Sequence, residues 1–210
     1  MASLIMHLCA AKALINENKI EGEKENEFLL GTLIPDFSLV PNAHYRTRSN
    51  GKRFFNISQF REKYIDKIKT EPLYLGYYLH LVQDVVFRDM MYNEYSWDSK
   101  KKGNVTLLYG DYRKLNSYLC EKYLLSEDII KSFEPCLKAA AKEFIFEPFY
   151  LKDCLINDFS IKETGDHYFL TPGISHKFLQ KSLDICIAEL TALEKESGFI
   201  NETDYAWKDK

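Results

Sequence analysis

Glycine and proline are scarce in this sequence, with nine and six copies among 210 residues. Because these two residue types mark most turns and loops, their scarcity predicts few breaks and long regular elements. Long apolar runs are also absent, and none approaches the ~20 residues that a membrane-spanning helix needs. The opening stretch MASLIMHLCAAKALI has no basic segment before its apolar part and carries Lys12 within it. We therefore expect a first helix rather than a signal peptide, no transmembrane segment, and a cytoplasmic protein.

Paired cysteines and a surplus of positive charge are missing as well. The chain has five scattered cysteines and no C-x-x-C pair, at Cys9, Cys120, Cys136, Cys154 and Cys186. This pattern is typical of neither a zinc finger nor a disulfide scaffold, so we expect reduced thiols in the core. The formal net charge is −3, whereas nucleic-acid binders usually have a basic face. We expect no dedicated nucleic-acid-binding surface, although an enzyme acting on a phosphodiester is still compatible with this charge.

What the sequence does contain is material for a large core. Apolar residues make up 46%, and there are 14 Phe and 14 Tyr, enough for one domain over residues 1–210. Helical spacing of apolar residues predicts helices over 3–16, 58–69, 72–95, 111–124, 126–146 and 175–196. A short helix is expected in EFLLGTLIPD, ending at Gly31 and Pro35. Residues 16–26, 37–56 and 148–171 are predicted to be irregular, with a turn at Asn50-Gly51 and no strand. The predicted fold class is all-α, a single-domain multi-helix bundle.

The octapeptide YYLHLVQD, residues 77–84, places a histidine and an aspartate inside an apolar helix. His80 and Asp84 are four residues apart, so they project from one face. Imidazole and carboxylate both bind zinc and other divalent metals. The alternative is that His80 is a hydrogen-bonded core histidine and that Asp84 pairs with Arg88. Gly76, one turn upstream, has no side chain and would let a neighbouring element approach closely.

Three more polar residues precede this helix. His7 lies inside the first apolar helix, where an unpaired buried polar group costs ~1–3 kcal/mol. Asp36 follows Pro35 at a helix end, and His44 lies in the next loop. Taken singly, Asp36 reads as a helix cap and His44 as an exposed loop residue. Together with His80 and Asp84, these residues favour a shared metal site.

Four segments, in their order along the chain, resemble a known family. They are MHLCAAKAL, FLLGTLIPD, AHYR and LGYYLHLVQD. This arrangement is similar to the zinc-dependent phospholipase C-like family, within the superfamily of bacterial phospholipases C and zinc nucleases. The resemblance is clearest over residues 1–124 and includes, less distinctively, DYRKLNSYL at residues 111–119.

The resemblance implies an all-α fold around one to three zinc ions. The implied metal ligands are His7, Asp36, His44, His80 and Asp84. Asp36, His44, His80 and Asp84 would form the main site. His7 would help to hold a neighbouring ion, with Asp84 or Asp36 as the bridge.

The function expected from this resemblance is hydrolysis of a small phosphate ester, phospholipid-like or nucleotide-like. Asp36 or Asp111 would orient the attacking water, and Arg46 and Arg88 would stabilise phosphate charge. The arginines could instead form ordinary ion pairs or be solvated, as we favour for Arg48, and Asp111 could simply cap a helix.

Two other functional readings are left open by the sequence. One is a non-catalytic metal-binding helical protein or interaction module. The other is a helical protein without metal, whose histidines lie far apart.

Family members with a full trinuclear cluster use further histidines, a glutamate and an N-terminal ligand. Here the sequence begins with Met, and only His167 and His176 follow Asp84. Neither forms an H-x-x-x-E pair, and their roles are open, as is the oligomeric state.

Overall fold

The computed structural model describes residues 2–17, 19, 20, 22 and 24–208. Its helices are α1 (Leu4–Asn16), α2 (Lys24–Gly31), α3 (Ile34–Phe37), α4 (Ile57–Thr70), α5 (Pro72–Arg88), α6 (Asn104–Lys122), α7 (Asp128–Ser132), α8 (Glu134–Phe144), α9 (Pro148–Ser160) and α10 (Pro172–Lys195). A π-helical turn, Asp89–Glu94, continues α5, and a 3-10 turn, Glu202–Tyr205, follows α10. A hairpin of β1 (Arg46–Ser49) and β2 (Lys52–Phe55) joins α3 to α4. The predicted all-α fold class is confirmed.

Helix α5 is the centre of the fold. Thirteen of its 17 residues are buried, because α1, α2, α4 and α10 all pack against it. A helix that is apolar around most of its circumference is stable only when other elements cover it on every side. Helix α1 is similarly buried, and Ser3 caps it because its hydroxyl accepts a hydrogen bond from the backbone N–H of Met6. Polar side chains on α1 and α5 therefore face the interior.

The contact between α2 and α5 depends on two glycines that face each other. A Cβ atom on Gly76 would lie 2.3 Å from the backbone oxygen of Phe28, and one on Gly31 would lie 2.4 Å from that of Leu73. Real Cβ atoms do not approach backbone atoms so closely, so both positions need glycine. The two helices touch backbone to backbone, as expected for Gly76. The end of α2 is thereby brought against the middle of α5.

The prediction of an irregular segment without strands over 37–56 was wrong for residues 46–55. The predicted turn at Asn50-Gly51 is present, and φ is positive at both residues, 50° and 72°. Two successive residues with positive φ give a turn whose twist matches that of paired strands. Arg46 lies opposite Phe55, and Arg48 lies opposite Arg53.

Several helices begin or end at residues other than those predicted. Helix α6 begins at Asn104, before the predicted position 111, and α9 occupies part of the segment 148–171 that we expected to be irregular. The predicted helix 126–146 is divided into α7 and α8, with Pro135 in the first turn of α8. Helix α4 begins at Ile57, one residue before the predicted position 58, and Asn56 caps it through its side chain. The predicted loop 16–26 lies partly outside the described residues, and α2 begins within it. Across the described chain, we find no helix with the length and apolarity needed to cross a bilayer.

Candidate metal centre

Helix α5 carries His80 and Asp84 on its buried face. Both side chains are fully buried, and His80 Nε2 lies 3.7 Å from Asp84 Oδ2. The alternative partner of Asp84 was Arg88, but the Arg88 guanidinium donates to the hydroxyl of Tyr92 at 2.9 Å. Asp84 Oδ1 accepts a hydrogen bond from the backbone N–H of Ala2 at 3.2 Å. The carboxylate therefore faces α1 and the histidines.

Three histidines from different parts of the chain meet at this carboxylate. The His7 ring stacks on the His80 ring with 3.8 Å between centroids, and His44 Nε2 lies 3.3 Å from His80 Nε2. Asp36, on α3, places Oδ1 3.2 Å from His44 Nε2. We call His7, Asp36, His44, His80 and Asp84 the His–Asp cluster. Its formation contradicts the alternative in which the histidines lie far apart.

Hydrogen bonds on the outer side of two imidazoles fix which nitrogen faces the cluster. The backbone oxygen of Thr32 lies 2.7 Å from His80 Nδ1, and a carbonyl can only accept, so the proton is on Nδ1. The amide oxygen of Gln83 lies 2.7 Å from His7 Nδ1 and accepts from it in the same way. In both rings the lone pair is then on Nε2. Partners of this kind are what orient the histidine ligands of metals.

Two atoms of the cluster are buried without a hydrogen-bond partner among the described residues. They are His7 Nε2 and Asp84 Oδ2, both acceptors. An unsatisfied buried acceptor costs ~1–3 kcal/mol, and more when it is charged. A cation between them would remove that cost, because both atoms offer it a lone pair.

The donor atoms form two groups of three with the spacing of a metal site. One group is His7, Asp36 and His80, the other is His44, His80 and Asp84, and within each the ligand atoms lie within 4.8 Å of one another. Zn–N bonds of ~2.0–2.1 Å in a tetrahedron place neighbouring ligand atoms about 3.3 Å apart. In the second group, His44 Nε2 lies 3.3 Å from His80 Nε2, and each of these atoms lies 3.7 Å from Asp84 Oδ2. These separations are close to that value, so the residues could hold zinc.

Asp84 has the geometry of a bridge. Its Oδ1 lies 3.7 Å from His7 Nε2, while its Oδ2 lies 3.7 Å from the Nε2 atoms of both His44 and His80. The two oxygens thus face different histidines. The lone pair on His80 Nε2 can bind only one ion. If two ions are bound, the Asp84 carboxylate is the group that can bridge them, because each of its oxygens can bind a different ion.

Two members of the cluster, His80 and Asp36, have pKa values shifted toward the protonation states of metal ligands. Burial lowers the pKa of His80 to about 3, so that its ring is neutral at physiological pH. Burial by itself would raise the pKa of Asp36, but the hydrogen bond from His44 and the surrounding imidazoles hold it below its ordinary value. A neutral imidazole beside an ionised carboxylate is the pairing that a divalent metal needs.

The later histidines are not part of this arrangement. His176 is exposed, and its Nδ1 accepts from the ammonium of Lys122 at 3.2 Å. His167 is half-buried in the loop before α10. In the described part of the chain neither belongs to a group of residues that could hold a metal.

Asp111 lies inside α6 and is fully buried, so it does not cap that helix. Its carboxylate accepts backbone N–H groups of Tyr168, Phe169 and Leu170 at 2.7–3.1 Å. Lys114 adds an ion pair at 3.7 Å. These contacts hold the loop before α10 against α6. The water-orienting role predicted for Asp111 would need a carboxylate oxygen that faces the His–Asp cluster, whereas both oxygens accept hydrogen bonds from the loop before α10.

We expect Asp111→Ala to destabilise the fold without removing metal. Three backbone N–H groups would lose a charged acceptor, each such bond being worth ~1.5–3 kcal/mol, so the free energy of unfolding should fall by about 3 kcal/mol or more. Denaturant unfolding measures the loss, and elemental analysis measures the zinc that is retained. Asp153→Ala, at an exposed position of α9, is the control. If Asp111→Ala were stable but lost zinc, the structural role would be contradicted, and the catalytic role predicted for Asp111 from the sequence would be supported.

Sequence reasoning missed the two groups that orient the imidazoles. Thr32 contributes its carbonyl, for which residue type gives no signal. Gln83 is a polar residue in an otherwise apolar run beside Asp84, and that was a usable signal. Comparison with protein-family models, curated proteins and solved structures finds no significant match for the chain. The candidate metal centre is therefore inferred from the geometry of the His–Asp cluster.

Proposed function

We propose that this chain is a zinc-dependent hydrolase of phosphate esters, related to the zinc-dependent phospholipase C-like family that its sequence resembles. One observation carries the proposal. The Nε2 lone pair of His7 on α1 converges with the Nε2 lone pair of His80 and the free oxygen of Asp84 on α5, and nothing else in the described structure satisfies His7 Nε2 or Asp84 Oδ2. The group of His44, His80 and Asp84 supplies three protein ligands, the number found in catalytic rather than structural zinc sites.

Zinc bound by three protein ligands keeps a position for water, and it lowers the pKa of that water from 15.7 to about 7. His44, His80 and Asp84 would hold this ion, and His7 would help to hold a neighbouring ion that Asp84 links to the first. Asp36 is the one carboxylate of the cluster whose side chain is partly exposed, at 12%, and it lines a cavity of about 380 Å³. It is therefore placed to accept a hydrogen bond from the attacking water and to orient it.

Arg46 and Arg88 are the groups proposed to stabilise phosphate charge. Both arginines line one cavity of about 760 Å³. Arg46 follows His44 by two residues, and Arg88 lies one turn beyond Asp84 on α5, so both lie near the His–Asp cluster. Two guanidinium groups beside a metal centre suit a phosphate, which accepts bidentate hydrogen bonds.

The proposal extends to the cellular setting. All five cysteines are free thiols, at Cys9, Cys120, Cys136, Cys154 and Cys186. Unpaired cysteines are usual in a reducing compartment. This supports the cytoplasm as the place where the enzyme acts.

The test combines metal content with hydrolysis. Purified chain is loaded with zinc, dialysed and assayed with bis(p-nitrophenyl) phosphate before and after chelation. We expect at least one zinc per chain and zinc-dependent cleavage. His80→Ala should lose both, because it removes the ligand common to the two donor groups. His176→Ala removes an exposed histidine outside the cluster and should lose neither.

Each outcome decides between the readings. Zinc lost in His80→Ala without any cleavage by the wild type would favour the non-catalytic metal-binding alternative. Equal and negligible zinc in the wild type and in both variants, after attempted loading, would reject the metal centre itself.

A further inference from the structure

His44 is the member of the His–Asp cluster that lies outside a helix, in the loop between α3 and β1. Its Nε2 faces Asp36 and His80, but no hydrogen bond reaches its Nδ1 within the described part of the chain. The outer hydrogen bonds that orient His7 and His80 therefore have no counterpart at this ring. The position of His44 depends instead on the elements that hold its loop.

The backbone beside His44 is strained. Tyr45 has a φ of 53°, a left-handed conformation that is unfavourable for a bulky residue. Such a conformation persists only where the surrounding structure holds it. The backbone N–H of Asn56, directly after β2, donates to the Tyr45 oxygen at 2.8 Å, and the Tyr77 hydroxyl donates to the Ala43 oxygen at 2.7 Å. The loop conformation that places His44 at the cluster therefore depends on the position of β2.

Strand β2 also contacts His44 through a side chain. Phe55 is fully buried, and its ring centroid lies 6.4 Å from that of His44. It is the one buried residue of β1 and β2. Because two paired strands are at best marginally stable on their own, a hairpin with so little core needs another element to hold it in place.

That element is the segment after α10, residues 199–207, which we call the strap. Trp207 and Arg53 exchange two backbone hydrogen bonds, with N–O distances of 2.8 Å and 2.9 Å, so the strap pairs with β2. The Trp207 ring is only 4% exposed, and its centroid lies 5.2 Å from that of Phe55, a usual spacing for packed aromatic rings. Trp207 thus packs against the same phenylalanine that contacts His44.

Two further contacts attach the strap to the helices. Glu202 is buried and accepts hydrogen bonds from the backbone N–H and the hydroxyl of Ser58, in the first turn of α4, at 3.2 Å and 2.6 Å. The Trp207 ring lies 5.9 Å from the ring of Tyr92, in the π-helical turn that continues α5. The strap therefore joins the hairpin to α4 and to the end of α5.

We propose that Trp207 is a positioning residue of the metal centre, which acts on His44 through Phe55. The inference rests on the proposed function, because it gives the strap a role in metal binding. With the strap in place, β2 holds the strained loop, and His44 completes the donor group that it forms with His80 and Asp84. With the strap released, the hairpin can move and that group is left with two ligands. Because coupling between two sites is reciprocal, bound zinc should in turn hold the strap against β2.

Zinc affinity tests the positioning role. Competition with a chelator of known affinity measures the zinc dissociation constant of the full chain. Trp207→Ala should bind zinc about tenfold or more weakly, as expected for outer partners of metal ligands. Trp207→Phe, which keeps an aromatic ring against Phe55, should recover most of that loss. Trp97→Ala is the matched control, because Trp97 is also buried but packs against Tyr92 and Phe169. It should destabilise the protein without changing zinc affinity.

Amide hydrogen exchange of the wild type tests the reciprocal effect and needs no variant. The backbone N–H groups of Arg53 and Trp207 form the bridge between β2 and the strap, and their exchange reports how often this bridge opens. If Trp207→Ala costs about tenfold in zinc affinity, saturating zinc should slow their exchange by a similar factor. The control is the N–H of Leu125, which donates to the Cys120 oxygen at 2.9 Å after the end of α6. Its local opening should not respond to zinc.

The outcomes separate this inference from the proposed function. If Trp207→Ala binds zinc as tightly as the wild type, or if Trp97→Ala loses as much affinity, the positioning role is wrong, while zinc-dependent cleavage of bis(p-nitrophenyl) phosphate by the wild type would still support the hydrolase. Equal exchange at the bridge with and without zinc would also overturn the inference. Weaker zinc binding by Trp207→Ala, rescued by Trp207→Phe, in a chain that cleaves no ester would support the positioning role and reject catalysis. A wild type that binds no zinc would reject both.

Discussion

Asp84→Asn is expected to abolish zinc-dependent hydrolysis while leaving the protein folded. Asparagine has nearly the same shape, and its oxygen can keep the hydrogen bond from the N–H of Ala2, 3.2 Å away in the wild type. It lacks the negative charge and the second oxygen with which Asp84 faces His44 and His80. Even outer partners of metal ligands are worth 10–100-fold in affinity or activity. For this central ligand we expect a loss of about a thousandfold or more in the rate of phosphodiester cleavage.

The stability of the same variant gives a readout that is independent of activity. Zinc at a thousand times its dissociation constant should raise the free energy of unfolding of the wild type by about 4 kcal/mol, and that of Asp84→Asn by less than about 1 kcal/mol. Without zinc, the variant should be at least as stable as the wild type. Its amide N–H would donate to the lone pair on His80 Nε2, 3.7 Å from Asp84 Oδ2 in the wild type, and the buried charge would be gone.

Glu189→Gln is the matched control for Asp84→Asn. Glu189 is also fully buried, but it accepts hydrogen bonds from Tyr78 and from the backbone N–H of Ile200, away from the histidines. The control should keep zinc and activity. If the chelated Asp84→Asn protein unfolds more easily than the chelated wild type, or still gains stability from zinc, then Asp84 is a structural carboxylate and not a ligand.

The ligands of the proposed centre could be found in the sequence because helix periodicity constrains them. His80 and Asp84 are one turn apart on an apolar helix, so they share a face wherever that helix lies. Proximity of His7 and His44 to them could not be derived from spacing and depended on family resemblance. Neither helix periodicity nor family resemblance could indicate the role of the Thr32 backbone oxygen, because its position depends on the close packing of α2 against α5 at Gly31.

The strands β1 and β2 were missed in the sequence for a different reason. Asn50-Gly51 was correctly assigned to a turn, yet the flanking residues RTRS and KRFF were not assigned to strands. Arginine and lysine occupy the positions where apolar alternation normally indicates a strand. Both strands are largely exposed, and Phe55 is their one buried residue, so the hairpin has no continuous apolar face to give that signal.

The second large effect is expected from Gly76→Ala, which should destabilise the fold by about 2 kcal/mol. Alanine is favoured over glycine in a helix by ~1 kcal/mol. That gain is outweighed because the new Cβ would lie 2.3 Å from the backbone oxygen of Phe28 and 2.9 Å from Gly31, and overpacking against a rigid backbone typically costs 1–3 kcal/mol, occasionally more. Denaturant unfolding of the zinc-free protein measures the net change.

The same substitution should also weaken zinc binding, although Gly76 lies outside the His–Asp cluster. To relieve the clash, α2 must move away from α5, which takes the backbone oxygen of Thr32 away from His80 Nδ1, 2.7 Å distant in the wild type. Losing this outer partner should lower zinc affinity about 10–100-fold. Gly110→Ala is the control on α6, where the nearest atom to a new Cβ is a flexible guanidinium nitrogen of Arg113 at 3.9 Å. It should stabilise the protein by ~0.5–1 kcal/mol and leave zinc affinity unchanged. If Gly76→Ala were as stable as Gly110→Ala, then the backbone contact between α2 and α5 would not be what positions His80.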